Sequence, residues 1–196
     1  HDLRNTLATA QLASDALSTS DDPRVQRSVP RLERALERAI KLASETLKYG
    51  RSNTPEPRLQ TVNLHQTTTE AAQEALSQQP DTRFENTVPD HTDATADPDH
   101  LHRILANLIR NAAEAQDGHG EVMVRQCEKG LEICDRGPGL PAKTLENLFK
   151  PFAASSRRDG SGLGLALSRD LARSMGGDLE LIETGPEGTC FRLVLP

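Results

Sequence analysis

Asn107 and Asn111 lie four residues apart on the helix expected after Pro98, so their amides stack on one helical face. Two amide oxygens converging in this way can help hold a hard cation such as Mg2+, which takes few protein ligands and keeps water and phosphate oxygens. The same face carries Arg103, Arg110 and Glu114, and taken alone it also fits a solvated polar surface. Asp135-Arg136-Gly137-Pro138-Gly139 follows directly on a strand expected over 131–134. A carboxylate at a strand end can accept a hydrogen bond from the exocyclic amine of adenine. Guanine presents a carbonyl at that edge and would be repelled. Gly137 and Gly139 let backbone approach a flat base without Cβ atoms in the way.

Gly160-Ser161-Gly162-Leu163-Gly164-Leu165 opens the last long helix. Successive free N–H groups and the positive helix end make an anion nest suited to phosphates. The preceding stretch, 153–159, reads as a mobile loop able to close over a ligand. Lys150, Arg157 and Arg158 stand in or beside it, within reach of a terminal phosphate. Gly185-Pro186-Glu187-Gly188-Thr189 is a turn between two strands and by itself indicates only a hairpin.

His1-Asp2-Leu3-Arg4-Asn5 begins the chain. A neutral imidazole, with an unperturbed pKa of ~6.5, is a competent nucleophile near neutrality. Asp2 can hold the proton on one ring nitrogen and leave the other lone pair for phosphorus, as a carboxylate orients a triad histidine. Asn5 falls one helical turn beyond His1, on the same face.

Two regions must position these groups. Residues 1 to about 50 read as two helices. Leu3, Leu7, Ala10, Ser14 and Leu17 form the stripe of the first, and Val25, Val29, Leu32, Leu36, Ala39 and Ala43 that of the second. Both alternate steps of four and three, a heptad seam. The turn formers of 18–23, ending in Pro23, separate them. An antiparallel hairpin of this kind buries too little surface alone, so its seam calls for a second copy and a dimeric four-helix bundle. A linker follows at 53–58. Beyond it the pattern mixes short strands, at 61–64, 122–125, 131–134, 179–182 and 191–195, with helices from 65 to 77, after Asp97-Pro98, and from Leu163 to Met175. The boundaries are thus 1–52 for the hairpin and 59–196 for the second domain.

Joint order says more than any single signal. Asn107-Leu-Ile-Arg-Asn111, Asp135-Arg-Gly137-Pro-Gly139, Leu148-Phe149-Lys150-Pro151-Phe152, Gly160-Ser-Gly162-Leu163-Gly164 and Gly188-Thr189 together resemble the N box, first glycine box, F box, second glycine box and final Gly-Thr turn of the sensor histidine kinase ATP-binding domain. His1 to Leu7 resembles that family's H box. The resemblance implies an α+β chain: a helical hairpin forming a dimeric four-helix bundle, then an α/β sandwich ATP-binding domain of the histidine kinase/gyrase/chaperone type. In that sandwich a mixed sheet packs under three helices.

It implies ATP and Mg2+ as cofactors, with Asn107 and Asn111 at the metal. Asp135, Gly137, Gly139 and Thr189 are implied at the nucleotide's base end, and Lys150, Arg157, Arg158, Gly160, Gly162, Leu163 and Gly164 toward its phosphates. It further implies autophosphorylation on His1, assisted by Asp2, and transfer to an Asp of a response-regulator receiver domain. Asn5 would orient water for phosphatase activity on that regulator. In gyrase-type and chaperone-type relatives the position matching Asn107 is usually Glu, the base that activates water. An amide cannot serve as that base, which points to phosphoryl transfer rather than hydrolysis.

The match has departures. Thr6 stands where Pro is common, which weakens the expected kink after the histidine. Glu114 and Ala115 stand where many members carry a basic and an aromatic residue. Two alternatives use the same residues: a histidine phosphotransferase relay with a non-catalytic ATP-binding-like domain, and a serine kinase of the anti-sigma type. Intact Asn111, Asp135 and second-glycine-box glycines weigh against the first, and the hairpin against the second.

Composition sets outer limits. The net charge of −6 argues against nucleic acid, which demands clustered Lys and Arg. No apolar run approaches the ~20 residues of a membrane span, so a cytoplasmic segment, part of a longer sensor, is expected. Aromatics are 3% of residues and Trp is absent, so the core must be aliphatic. Cys127, Cys134 and Cys190 are widely spaced and odd in number, suggesting three small core residues in a reducing compartment and no disulfide framework.

Overall fold

A computed structural model describes residues 22, 24–26, 28–30, 32, 35, 36, 39, 56–152 and 162–196. The H-box residues His1, Asp2 and Asn5, the first hairpin helix, the first half of the linker, and Arg157, Arg158 and Gly160 lie outside the described residues.

The chain divides into two units, 1–53 with 157–161, and 54–156 with 162–196. In the first, the described residues from 24 to 39 are helical. Asp22 marks the start, its carboxylate accepting the Arg24 N–H at 2.8 Å while its carbonyl accepts that of Gln26 at 3.0 Å. This fits the expected helix after the Pro23 turn. Val29 is buried, whereas Leu32, on the expected seam, is 40% exposed.

The second unit runs β1 (Gln60–Asn63), α1 (Leu64–Ala75), β2 (Arg83–Asn86), β3 (Asp93–Ala96), α2 (Pro98–Glu114), β4 (Glu121–Cys127), β5 (Gly130–Asp135), α3 (Ala142–Leu145), α4 (Gly164–Ser174), β6 (Asp178–Gly185) and β7 (Gly188–Val194). β1 and β3 pair antiparallel on their own, while the main sheet has the order β2-β4-β5-β7-β6. Only its β2–β4 pair is parallel. The helices α1, α2 and α4 cover one face, with α2 against both of the others and over β4 and β5. The expected sandwich of a mixed sheet under three helices is present.

Local chemistry explains where α2 starts and which way it turns. Asp97 takes an extended conformation and accepts the His100 N–H, while Pro98 occupies the first turn where no N–H is needed. Burial opposes the charge on Asp97, but the backbone N–H groups of His100 and Arg58 outweigh it and hold its pKa below the ordinary carboxylate value. From that start, Leu101, Ile104, Leu105, Leu108 and Ile109 are fully buried. They meet Val122, Val124, Leu131, Ile133, Leu179 and Leu193 from the sheet in one aliphatic core. Packing of this face supplies most of the helix's stability, since isolated helices of such length are marginal.

Three elements were not expected from sequence: β2, β3 and the one-turn α3. The first two read Arg-Phe-Glu-Asn and Asp-Ala-Thr-Ala, with Phe84 and the small Ala94 and Ala96 as their only apolar side chains, a weak strand signal. Both are edge strands.

The cysteines correct an expectation. Cys134 and Cys190 are direct partners in the β5–β7 register and form a disulfide, while Cys127 is a free thiol, half-buried. Spacing could not reveal this, because strand register sets the pairing across 56 positions.

Candidate nucleotide-binding site

The C-terminal end of β5 and the β6–β7 turn form one cluster. Asp135 Oδ1 accepts the N–H of Gly137 at 2.8 Å and that of Thr189 at 3.2 Å. These bonds aim the carboxylate from two sides and fix it to the neighbouring strand. Thr184 Oγ1 lies 3.1 Å from Thr189 Oγ1 and accepts the Leu140 N–H at 2.8 Å. The loop after β5 is thereby tied to the hairpin turn. Two glycines permit the contact. Gly139 has φ +79° and a Cβ there would enter the backbone of Gly185. Gly188 has φ +135° and a Cβ there would strike the carbonyl of Asp135. Gly137 is buried, and a Cβ on it would stand 3.3 Å from the Ala115 methyl.

A second cluster joins α2 to the start of α4. Asn107 Nδ2 donates to Ser168 Oγ at 2.9 Å, and Ser168 is 2% exposed. The other end of the amide faces Gly164, where an added Cβ would come within 2.6 Å of Asn107 Oδ1. Asn111 stands one turn further along α2, half-buried. Among the described residues no side-chain cap bond is made at the N-terminus of α4, whereas α1 and α2 are capped by Asn63 and Asp97. Leu163, buried, precedes the first helical residue, and Gly162 takes φ +69°. A helix start beside an amide oxygen suits an anion accompanied by a hard cation.

The F-box segment is anchored apart from both clusters. Arg169 lies 4.3 Å over the Phe149 ring and makes two bonds to Asp178, of 2.8 and 3.1 Å. The hydrogen bond from Arg169, assisted by Arg173, depresses the Asp178 pKa strongly despite its burial. Lys150 is exposed and donates to Asn147 Oδ1 at 3.0 Å, within its own segment. Phe152 N–H donates to Gly162 O at 3.2 Å and so joins the two described ends around 153–161.

Sequence reading singled out Asn107, Asn111, Asp135, Gly137, Gly139, Gly162, Leu163, Gly164 and Thr189, and the structure places them in or beside the two clusters. It missed Ser168 and Thr184. Ser168 falls four residues after Gly164, and Thr184 is the register partner of Thr189. A helical or strand offset from the boxes would have found each.

Residues 96–196 match the family described as histidine kinase-, DNA gyrase B-, and HSP90-like ATPase, just over half of the chain. The chain belongs to that family.

Within this ATPase family its relatives are sensor kinases. It is 40% identical over 113 residues to the C4-dicarboxylate transport sensor protein DctB of Rhizobium meliloti, covering 55% of this chain and 18% of that protein. It is 29% identical to the sensory histidine kinase/phosphatase NtrB of Rhodobacter capsulatus, across 100% of this chain and 59% of NtrB. Among solved structures, a mycobacterial sensor histidine kinase, MprB, superposes with a TM-score of 0.59 at 30% identity, covering 70% of this chain and 97% of that one. The chain therefore spans less than two thirds of these two curated relatives and carries the ATP-binding domain of a sensor histidine kinase.

Proposed function

We propose that this chain is the phosphotransfer core of a sensor histidine kinase. ATP would phosphorylate His1, and the phosphoryl group would pass to an Asp of a response-regulator receiver domain. The observation that carries this reading is the Asp135 carboxylate, held by the N–H groups of Gly137 and Thr189 at the end of β5. Its fixed aim suits the exocyclic amine of adenine, and two backbone donors are already spent on orientation.

The residues present fit both ATP and Mg2+. Asp135, Gly137, Gly139 and Thr189 would hold the base. Gly162, Leu163 and Gly164 at the start of α4 would cradle phosphate oxygens, with Gly160, Lys150, Arg157 and Arg158 adding contacts from the adjoining segment. Asn107 and Asn111 offer neutral hard oxygens of the kind Mg2+ accepts. Mg2+ would supply charge neutralisation at the phosphates, which is most of what phosphoryl transfer requires beyond positioning. Asn107 has no carboxylate with which to take a proton from water, which favours transfer over hydrolysis. At the acceptor, Asp2 would hold one imidazole N–H and leave the other nitrogen of His1 as nucleophile. Asn5 would orient water during dephosphorylation of the regulator.

Residues 1–52 would form the dimerising hairpin, 53–58 the linker and 59–196 the catalytic domain. The exposed seam residue Leu32 fits a homodimer made through that hairpin. Among the described residues no helix is long and apolar enough to cross a membrane, and a cytoplasmic position follows from the reading. A chain extended upstream of His1, incubated with labelled ATP, should acquire acid-labile label that disappears in His1→Ala. Label that persists in that variant would reject His1 as the acceptor.

A further inference from the structure

We infer that Cys134 and Cys190 constitute a thiol–disulfide exchange site whose redox state is coupled to nucleotide occupancy of the adjoining cleft. The two are register partners on β5 and β7, joined as a disulfide. Cys134 immediately precedes Asp135 and Cys190 immediately follows Thr189, the pair linked at 3.2 Å in the first cluster. Side chains alternate along a strand. Leu131, Ile133, Phe191 and Leu193 face the helices, so Asp135 and Thr189 share that inner face while both sulfurs lie on the outer one. The covalent bond thus sits directly behind the carboxylate and the N–H that define the proposed adenine end.

Access and surroundings favour exchange chemistry. Cys134 is half-buried, whereas Cys190 is 2% exposed, so an external thiol or disulfide meets Cys134 first. Glu132 lies beside the pair, its carboxylate within 4.8 Å of both sulfurs. It is not an available metal ligand, because Arg125 and Arg192 hold its two oxygens at 2.7 Å each. A divalent cation would have to displace two guanidinium groups, which leaves a redox couple as the better use of these thiols. Disulfides in cytosolic proteins are in general transient or redox-sensing, and that point rests on the cytoplasmic position proposed above.

The co-reactant is a low-molecular-weight disulfide, RSSR. The Cys134 thiolate attacks one sulfur of RSSR, the S–S bond breaks, and one RSH departs carrying the proton that Cys134 gave up. The Cys190 thiolate then attacks the mixed disulfide at Cys134, and a second RSH departs with the proton from Cys190. Two electrons pass from the protein dithiol to RSSR, and excess RSH reverses the exchange. The closed bond limits how far the ends of β5 and β7 can part, and bound adenine would favour the same closed arrangement. Linkage makes the effect mutual: the factor by which oxidation tightens ATP binding equals the factor by which ATP favours disulfide formation.

The test is an ATP titration with Mg2+ of the fully oxidised and the dithiothreitol-reduced chain, paired with a glutathione redox titration with and without ATP, read by thiol counting. The oxidised form should bind ATP roughly 5-fold more tightly or better, and ATP should raise the glutathione equilibrium constant by the same factor. Cys134→Ser should bind like the reduced form and ignore reductant; the reduced wild type serves the same purpose if that variant does not fold. Equal affinity in both redox forms, with ATP bound, overturns the coupling alone. Absence of ATP binding in both forms overturns the ATP-domain reading and the coupling with it.

Discussion

Asn107 on α2 donates through Nδ2 to the buried hydroxyl oxygen of Ser168 on α4, 2.9 Å away. The bond decides which end of the amide is presented at the start of α4. With the nitrogen engaged, the oxygen faces Gly164.

Ser168→Ala should therefore leave Asn107 able to rotate. Loss of one buried hydrogen bond costs about 1 kcal/mol of stability, a modest fall in melting temperature. The larger effect should be on metal use: the Mg2+ concentration for half-maximal autophosphorylation should rise several-fold, with metal-free nucleotide affinity little changed. Ser168→Thr, which keeps the hydroxyl, should restore much of the metal dependence. An unchanged Mg2+ profile in Ser168→Ala would remove Ser168 as a positioning residue.

Gly164→Ala tests the same contact from the other helix. The new methyl would meet Asn107 Oδ1 at 2.6 Å, so the amide must move. Gly164 is the first residue of α4 and is not among the positive-φ glycines, so alanine suits its backbone and the fold should survive by circular dichroism. ATP affinity should nevertheless fall by roughly 10-fold or more, the effect of about 1.4 kcal/mol. Wild-type affinity in this variant would contradict the placement of phosphates at the start of α4.

Stability should depend on pH through Glu132. The Arg192 hydrogen bond, opposed by burial and reinforced by Arg125, holds its pKa below the ordinary glutamate value of 4.5. A depressed folded-state pKa means that the unfolded chain takes up the proton first. The contribution is full above pH 4.5 and is lost as pH falls through the folded value. Glu132→Gln should lower the melting temperature at pH 7, by about 2–4 kcal/mol of stability, because two guanidinium groups lose their counter-charge. It should also flatten the acid limb below pH 4.5 relative to wild type. Parallel acid limbs for the two proteins would show that the triad does not contribute there.

These sites differ in how far the amino-acid order alone exposes them. Asp97-Pro98 announces α2 because a cap and a ring-locked first turn are local devices, and the Leu101 to Leu108 stripe follows from helical period. β5 and β7 are legible because inner residues alternate with outer ones. Asn107, Asp135 and Gly164 are legible as types at suitable offsets, since each sits at the end or on one face of such an element. Ser168 and Thr184 are not, because each acts through a partner on another element, 61 positions away for Ser168 and across a hairpin register for Thr184. The Cys134–Cys190 bond is hidden for the same reason. β2 and β3 are hidden because each has four residues and offers the core only Phe84 or the small Ala94 and Ala96.

The central claim is that the β5 end, the β6–β7 turn and the start of α4 capture ATP. Calorimetric titration of this chain with ATP in the presence of Mg2+ tests it most directly. The wild type should give a saturable isotherm with one site, and Asp135→Asn should bind about 10- to 100-fold more weakly, the range for losing a hydrogen bond to a charged group. A wild-type chain that gives no heat, or an Asp135→Asn chain with undiminished affinity, would contradict it.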